Sequence, residues 1–211
     1  MKITKYEHAC FVAEENGQSL VVDPGNWTSS FTAPDNVVAV VITHEHQDHL
    51  DLSHLHAIVS KNPEVVIITH PDVVKQLTDF NARPANPGDS LSVGGFNLTF
   101  YGGDHAVISP DRPALANIGV MINDRVYYPG DSFAIPDAPV DILALPVSAP
   151  WMKYSEAMEF LTAVKPRIVF PTHDAILSDV GKGLADAMSS AVANQTGAAY
   201  QRLQVGVVTE L

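Results

Sequence analysis

The stretch THEHQDHL, residues 43–50, places His44, His46, Asp48 and His49 within six positions. Three imidazoles and a carboxylate so close together make a poor core and an unusual surface. A β-branched run from Val37 to Thr43 leads into them. In extended chain His44 and His46 point to the same side, because side chains alternate with period two. That pair can grip one metal ion. If the chain then bends into a helix beginning near Leu50, Asp48 and His49 leave from the bend and can face a second ion. With nine histidines in 211 residues, the pattern H-x-H-x-D-H arises by chance in roughly one chain in a thousand.

Zinc binds neutral imidazole and carboxylate at roughly 2.0 to 2.2 Å and takes three or four protein ligands, so further donors are required. His105 follows FNLTFYGGD, Asp131 follows RVYYPG and His173 follows RIVFPT. Each sits just past the carboxyl end of an expected strand, where ligands of α/β folds collect. Gly102, Gly103 and Gly130 beside them let backbone approach an ion.

Short apolar runs punctuated by turn residues read as strands: SLVVDPG, VVAVVITHEH, EVVIITHP, FNLTFYGGDH, RVYYPGDS, VDILALP and RIVFPTHD. Helical stretches are expected over Leu50 to Ser60, Asp72 to Phe80, Tyr154 to Val164 and Gly183 to Ala193. Ser155 is the expected cap of the third and Pro166 its stop. A hairpin is expected at Asn123-Asp124. Residues 82–95, ARPANPGDSLSVGG, read as a surface connection, so one α/β domain over residues 1–211 is expected.

Hydrophobic residues make up 46% and charged residues 17%, a globular balance without an apolar run long enough for a membrane helix. Glu7, Glu14 and Glu15 interrupt the start where an export signal needs an apolar segment. A lone Cys10 fits a reducing compartment, and together these point to the cytoplasm. The net charge of −12, without a basic cluster, disfavours nucleic acid as a partner. A small-molecule substrate is expected, and pairing into a homo-oligomer stays open.

The HxHxDH signature, followed by an isolated His, Asp and His in that order, resembles the metallo-β-lactamase superfamily, and within it the small single-domain metal-dependent hydrolases of the lactonase-like branch. HACFV (His8 to Val12), VVDPG (Val21 to Gly25), YYPGDS (Tyr127 to Ser132), DILALPV (Asp141 to Val147) and VFPTH (Val169 to His173) extend the likeness along most of the chain. The resemblance implies a four-layer αβ/βα sandwich of two mixed sheets flanked by helices, with metals in a cleft at one edge. It implies that His44, His46 and His105 hold one ion and that Asp48, His49 and His173 hold the other. Asp131 then bridges them, with Asp23 supporting the ligands from behind.

The remaining histidines read otherwise. His54 and His56 are two apart on a helix and cannot both face the cleft, His70 before Pro71 reads as a turn, and His8 has no evident mechanism. Trp151 and Tyr154 read as packing. Ser148 lacks the Gly-x-Ser-x-Gly elbow of a serine nucleophile.

Two divalent ions, zinc first with manganese or iron as alternatives, point to hydrolysis. A hydroxide formed on the pair attacks an ester, lactone, amide or phosphoester, and Asp48 orients the water or accepts its proton. The competing readings are an iron-dependent oxidoreductase of the same fold and a non-catalytic metal-binding protein. SAPWMK, residues 148–153, departs from the glycine-rich segment of lactonase-like relatives, which leaves the substrate open.

Overall fold

Two seven-stranded sheets face each other in the computed structural model, which describes residues 1–211. The first contains β1 (Lys2–Lys5), β2 (Phe11–Glu15), β3 (Gln18–Val22), β4 (Val37–Ile42), β5 (Val66–Thr69), β6 (Ala82–Pro84) and β14 (Val208–Glu210), in the order β14-β1-β2-β3-β4-β5-β6. The second contains β7 (Ser90–Val93), β8 (Phe96–Asp104), β9 (Ala116–Ile122), β10 (Val126–Tyr128), β11 (Ile142–Pro146), β12 (Ile168–Thr172) and β13 (Ala199–Tyr200), in the order β13-β12-β11-β10-β9-β8-β7. Both are mixed. Pairing is antiparallel from β14 to β3 and from β7 to β10, and parallel from β3 to β6 and from β10 to β13.

Period-two alternation sorts the side chains into layers. In β12, Ile168 and Phe170 enter the core between the sheets while Val169 faces the helices. In β4, Ala39 and Val41 face the other sheet while Val40 and Ile42 face outward. The outward face of the first sheet is covered by α1 (Leu52–Lys61) and α2 (Pro71–Val74), that of the second by α3 (Tyr154–Val164) and α4 (Asp179–Thr196). The result is helices, sheet, sheet, helices. No helix is long and apolar enough to cross a membrane.

Several boundaries differ from the sequence reading. The helix expected over Asp72 to Phe80 is one turn, Pro71–Val74, and His70 is its cap, accepting from the Asp72 N–H at 3.2 Å. Ser155 lies inside α3 rather than capping it. The cap is Lys153, whose N–H donates to Glu156 Oε2 at 2.7 Å. The last helix is longer than expected, because Ser178 caps it by accepting from the Gly181 N–H and Gly197 closes it in a left-handed conformation. Residues 82–95 carry the outer strands of both sheets, β6 and β7, and so lead the chain from one sheet to the other. The hairpin at Asn123-Asp124 forms with positive φ at both residues.

Because β8 and β10 both run antiparallel to β9, they point the same way as β11 and β12. In the first sheet β3 and β4 are parallel. Their carboxyl ends bring six loops to one edge of the sandwich. Phe170 lies two residues inside that edge, fully buried and packed edge-on against Phe11 at 5.8 Å. Phe170→Ala should lower stability by about 3 to 5 kcal/mol in urea unfolding. A cost below about 1 kcal/mol would mean that the sheets do not share this core.

Candidate metal centre

Asp23 follows β3, His44 and His46 follow β4, His105 follows β8, Asp131 follows β10 and His173 follows β12. The bend carrying Asp48 and His49 is set by His49 and Leu50, whose N–H groups both donate to His46 O at 2.9 Å, and Asp51 then caps α1. It packs against the Asp23-Pro24-Gly25 turn so closely that a Cβ on Gly25 would lie 1.9 Å from Asp48 backbone atoms. Only glycine fits.

Four imidazoles are oriented by the same device. His49 Nδ1 donates to Asp23 Oδ2 at 2.6 Å, His105 Nδ1 to Ala106 O, and His173 Nδ1 to Ser148 O at 2.6 Å. Thr43 Oγ1 gives its own proton to Asp23 Oδ2 at 2.7 Å, so it accepts from His44 Nδ1 at 3.0 Å. With every Nδ1 committed to these partners, the four Nε2 atoms face inward. They converge on Asp131. Its Oδ1 lies 3.2 Å from His49 Nε2 and 3.1 Å from His173 Nε2, and its Oδ2 lies 3.4 Å from His105 Nε2 and 4.0 Å from His44 Nε2. Asp48 Oδ2 is 3.7 Å from His49 Nε2 and 3.6 Å from His173 Nε2, and His46 Nδ1 is 3.0 Å from His44 Nε2.

The donors form two groups: His44, His46, His105 and Asp131, and His8, Asp48, His49 and His173, the ligand atoms of each within 4.8 Å of one another. Nitrogen and oxygen atoms at 2.0 to 2.2 Å from a tetrahedral ion stand about 3.3 to 3.6 Å apart, so the observed spacings fit a cation in each group. The polar satisfaction points the same way. His49 Nε2, His105 Nε2, His173 Nε2 and Asp131 Oδ1 are buried without a well-formed hydrogen bond, at a cost of roughly 1 to 3 kcal/mol each if nothing fills the space.

Burial pushes His44 well below the ordinary imidazole range and also lowers His46, which suits neutral ligands. His49 differs. Burial opposes its charge, but the Asp131 and Asp23 carboxylates outweigh that and raise it well above the usual value. Asp131 is held well below the carboxylate range, because His49 and His173 overcome its desolvation. For Asp48, burial is likewise outweighed, here by the hydrogen bond from His8 and the charge of His49, and its pKa falls to about 2.

Two residues set aside in the sequence reading touch this centre. Trp151 is more than packing: its indole N–H donates to Asp131 Oδ2 at 2.7 Å. His8, fully buried, lies 2.9 Å from Asp48 Oδ2 through Nε2. Asn117 was missed. Its Oδ1 accepts from the Asp131 N–H at 2.9 Å and its Nδ2 donates to Pro129 O at 2.8 Å, which pins the Pro-Gly-Asp turn. A polar residue within the apolar run ANIGVMI was the available signal. Gly130, at φ +65°, is required by that contact, since a Cβ would meet Asn117 Oδ1 at 2.2 Å. Gly102 and Gly103 lie against Ala134 and Pro87, so none of the three glycines serves to bring backbone to an ion. Tyr154 packs away from the centre, bonded to Ala185 O and Ser189 Oγ of α4. His54 donates to Pro24 O and His56 stacks on Phe80.

Comparison with known proteins agrees with this architecture. Residues 2–173 match the family described as beta-lactamase superfamily domain. Protein Rv0786c of Mycobacterium tuberculosis is 35% identical over 189 residues, covering 87% of this chain and 89% of its own. The UPF0173 metal-dependent hydrolase MJ1163 of Methanocaldococcus jannaschii is 28% identical, covering 81% of this chain and 83% of its own. Among solved structures, the metallo hydrolase Igni18 of Ignicoccus hospitalis superposes with a TM-score of 0.74 at 20% identity, over 100% of this chain and 98% of that one. The sandwich, the site at its edge and the family match together place the chain in the metallo-β-lactamase superfamily.

Proposed function

We propose that this chain is a metal-dependent hydrolase that holds two divalent cations, zinc in first place, and cleaves an ester, lactone, amide or phosphoester of a small molecule. The observation that carries the reading is the convergence of anchored imidazoles, their Nε2 atoms turned toward the two oxygens of Asp131. The name of the M. jannaschii relative supports the same class. His44, His46 and His105 would hold the first ion and Asp48, His49 and His173 the second, with Asp131 available to both. Imidazole-rich donor sets suit zinc, and iron and manganese remain outcomes of elemental analysis.

Such ions supply a water acidified to a pKa of about 7 and polarise a carbonyl or phosphoryl oxygen. The chain's own groups hold that arrangement. Asp23 and Thr43 fix His49 and His44, and Asn117 fixes Asp131. With a pKa of about 2, Asp48 is a weak proton acceptor, and its part is to ligate and orient. A polar cleft of about 710 Å³, lined by Asn26, Trp27, Gln47 and Gln76, opens on one side of His46. An apolar pocket of about 210 Å³, lined by Val107, Ile108, Leu115 and Arg112, opens between His46 and His105. The larger of the two has the volume of a small-molecule site. A cytoplasmic address goes with this reading, since the single cysteine, Cys10, is buried and unpaired.

Metal-stripped and reconstituted protein should be compared on a panel of these substrates. Turnover should vanish on chelation, return with metal, and fall by at least about a hundredfold in His105→Ala. Activity indifferent to chelation defeats the reading.

The raised pKa of His49 adds a pH signature. Asp131 and Asp23 favour the doubly protonated ring in the metal-free protein, and a cation at Nε2 would displace that proton. Metal binding near pH 7 should therefore release a proton, and affinity should rise with pH. Calorimetry in buffers of different ionisation enthalpy reads this directly, and binding without proton release would contradict it.

A further inference from the structure

His8 differs from the other buried imidazoles in which nitrogen carries its proton. Its Nδ1 accepts a hydrogen bond from the Ala175 N–H at 3.3 Å. The neutral ring therefore carries its hydrogen on Nε2, which donates to Asp48 Oδ2 at 2.9 Å. In His44, His49, His105 and His173 the arrangement is reversed, with Nδ1 donating and Nε2 turned toward Asp131. An Nε2 that donates to Asp48 has no lone pair for an ion, so proximity to the second group does not make His8 a ligand.

Its surroundings hold it firmly. The backbone sits at φ +56°, a left-handed conformation that a residue with a side chain seldom adopts. Two hydrogen bonds to its carbonyl keep it there, one from the His173 N–H at 3.0 Å and one from the buried Lys5 Nζ at 2.6 Å. The ring is closed in by Trp27, with centroids 4.7 Å apart, and by His173, 3.9 Å apart. A residue between β1 and β2 thus touches Asp48 through its ring and, through its backbone, His173 at the end of β12 in the opposite sheet.

We propose that His8 is a positioning residue for the second metal site, fixing the Asp48 carboxylate and its spacing from His173; this rests on the two-ion reading above. It explains the conformational strain, the tautomer and the position of a buried imidazole that does not itself ligate. Asp48 is otherwise the most exposed ligand of its group, and it needs a partner to hold one orientation.

The test uses full-length wild type, His8→Phe and His8→Gln, stripped of metal and titrated with Co²⁺ against a competing chelator, with visible absorption as the readout. The glutamine amide can donate from about the place of Nε2, whereas phenylalanine fills the space without donating. Wild type should bind two ions. His8→Phe should bind the second roughly ten- to hundredfold more weakly, with the first little changed, and His8→Gln should recover most of that loss. Equal second-site affinity in His8→Phe and wild type overturns the proposal. So does equal loss in His8→Phe and His8→Gln, the result expected of a direct ligand. If His8→Phe does not fold, as judged by circular dichroism, His8→Gln decides: second-site affinity within a few fold of wild type supports the proposal, and loss overturns it. Wild type that binds a single ion overturns the two-ion reading itself and the proposal with it.

Discussion

The carboxylate of Asp131 turns one oxygen toward His44 and His105 and the other toward His49 and His173, and this division requires both sheets to end at the same edge. His44 and His49 come from the first sheet, and His105, Asp131 and His173 from the second. Moving one sheet by a residue along its strands would carry its donors about 3.3 Å away, beyond the reach of a shared ion. The apolar core between the sheets therefore does more than stabilise the chain. Close packing of Phe11, Phe100, Tyr128 and Phe170 allows few alternative alignments, and the alignment that remains is the one that brings the imidazoles together.

The metal-free centre shares the negative sign of the whole molecule. The chain carries a net −12, and the site sets buried Asp23 and Asp131 and half-buried Asp48 beside His44 and His46, which burial holds below the usual imidazole range. Asp131 and Asp23 raise His49 well above the usual imidazole value. The two divalent ions proposed above would displace its proton and reverse the local field. At physiological salt the screening length of roughly 8 Å confines the distant surface acids to a minor role, so an anionic substrate is compatible with an acidic protein.

Much of this was legible in the sequence because it depends on local pattern. Strand alternation, the HxHxDH spacing and the placement of His105, Asp131 and His173 after strands can all be read within a few residues. What depended on distant partners could not. His8 has no evident mechanism until the chain brings Ala175 and Asp48 to its two nitrogens from 167 and 40 positions away. Trp151 reads as packing until Asp131, 20 positions earlier, accepts its N–H. Ser155 is a good intrinsic cap, but Lys153 and Glu156 close the turn two residues earlier, where the loop from β11 arrives. The helix expected through Phe80 stops at Val74 because Leu77 and Phe80 turn inward with the loop to fill the face beneath α1. Local propensity gave way to packing in both cases.

The arrangement also sets how metal and folding depend on each other. Four buried polar atoms of the site lack a well-formed hydrogen bond, which is unfavourable to the metal-free fold. The metal-free fold bears this cost because the same residues are fixed from behind by Asp23, Thr43, Ser148 and Asn117, whose hydrogen bonds do not require an ion. Cations that bind the folded chain and not the unfolded one then stabilise it by RT ln(1 + [L]/Kd). Orientation is thus built into the protein before any ion arrives, and the ion contributes mainly by relieving the atoms that this orientation leaves exposed to one another.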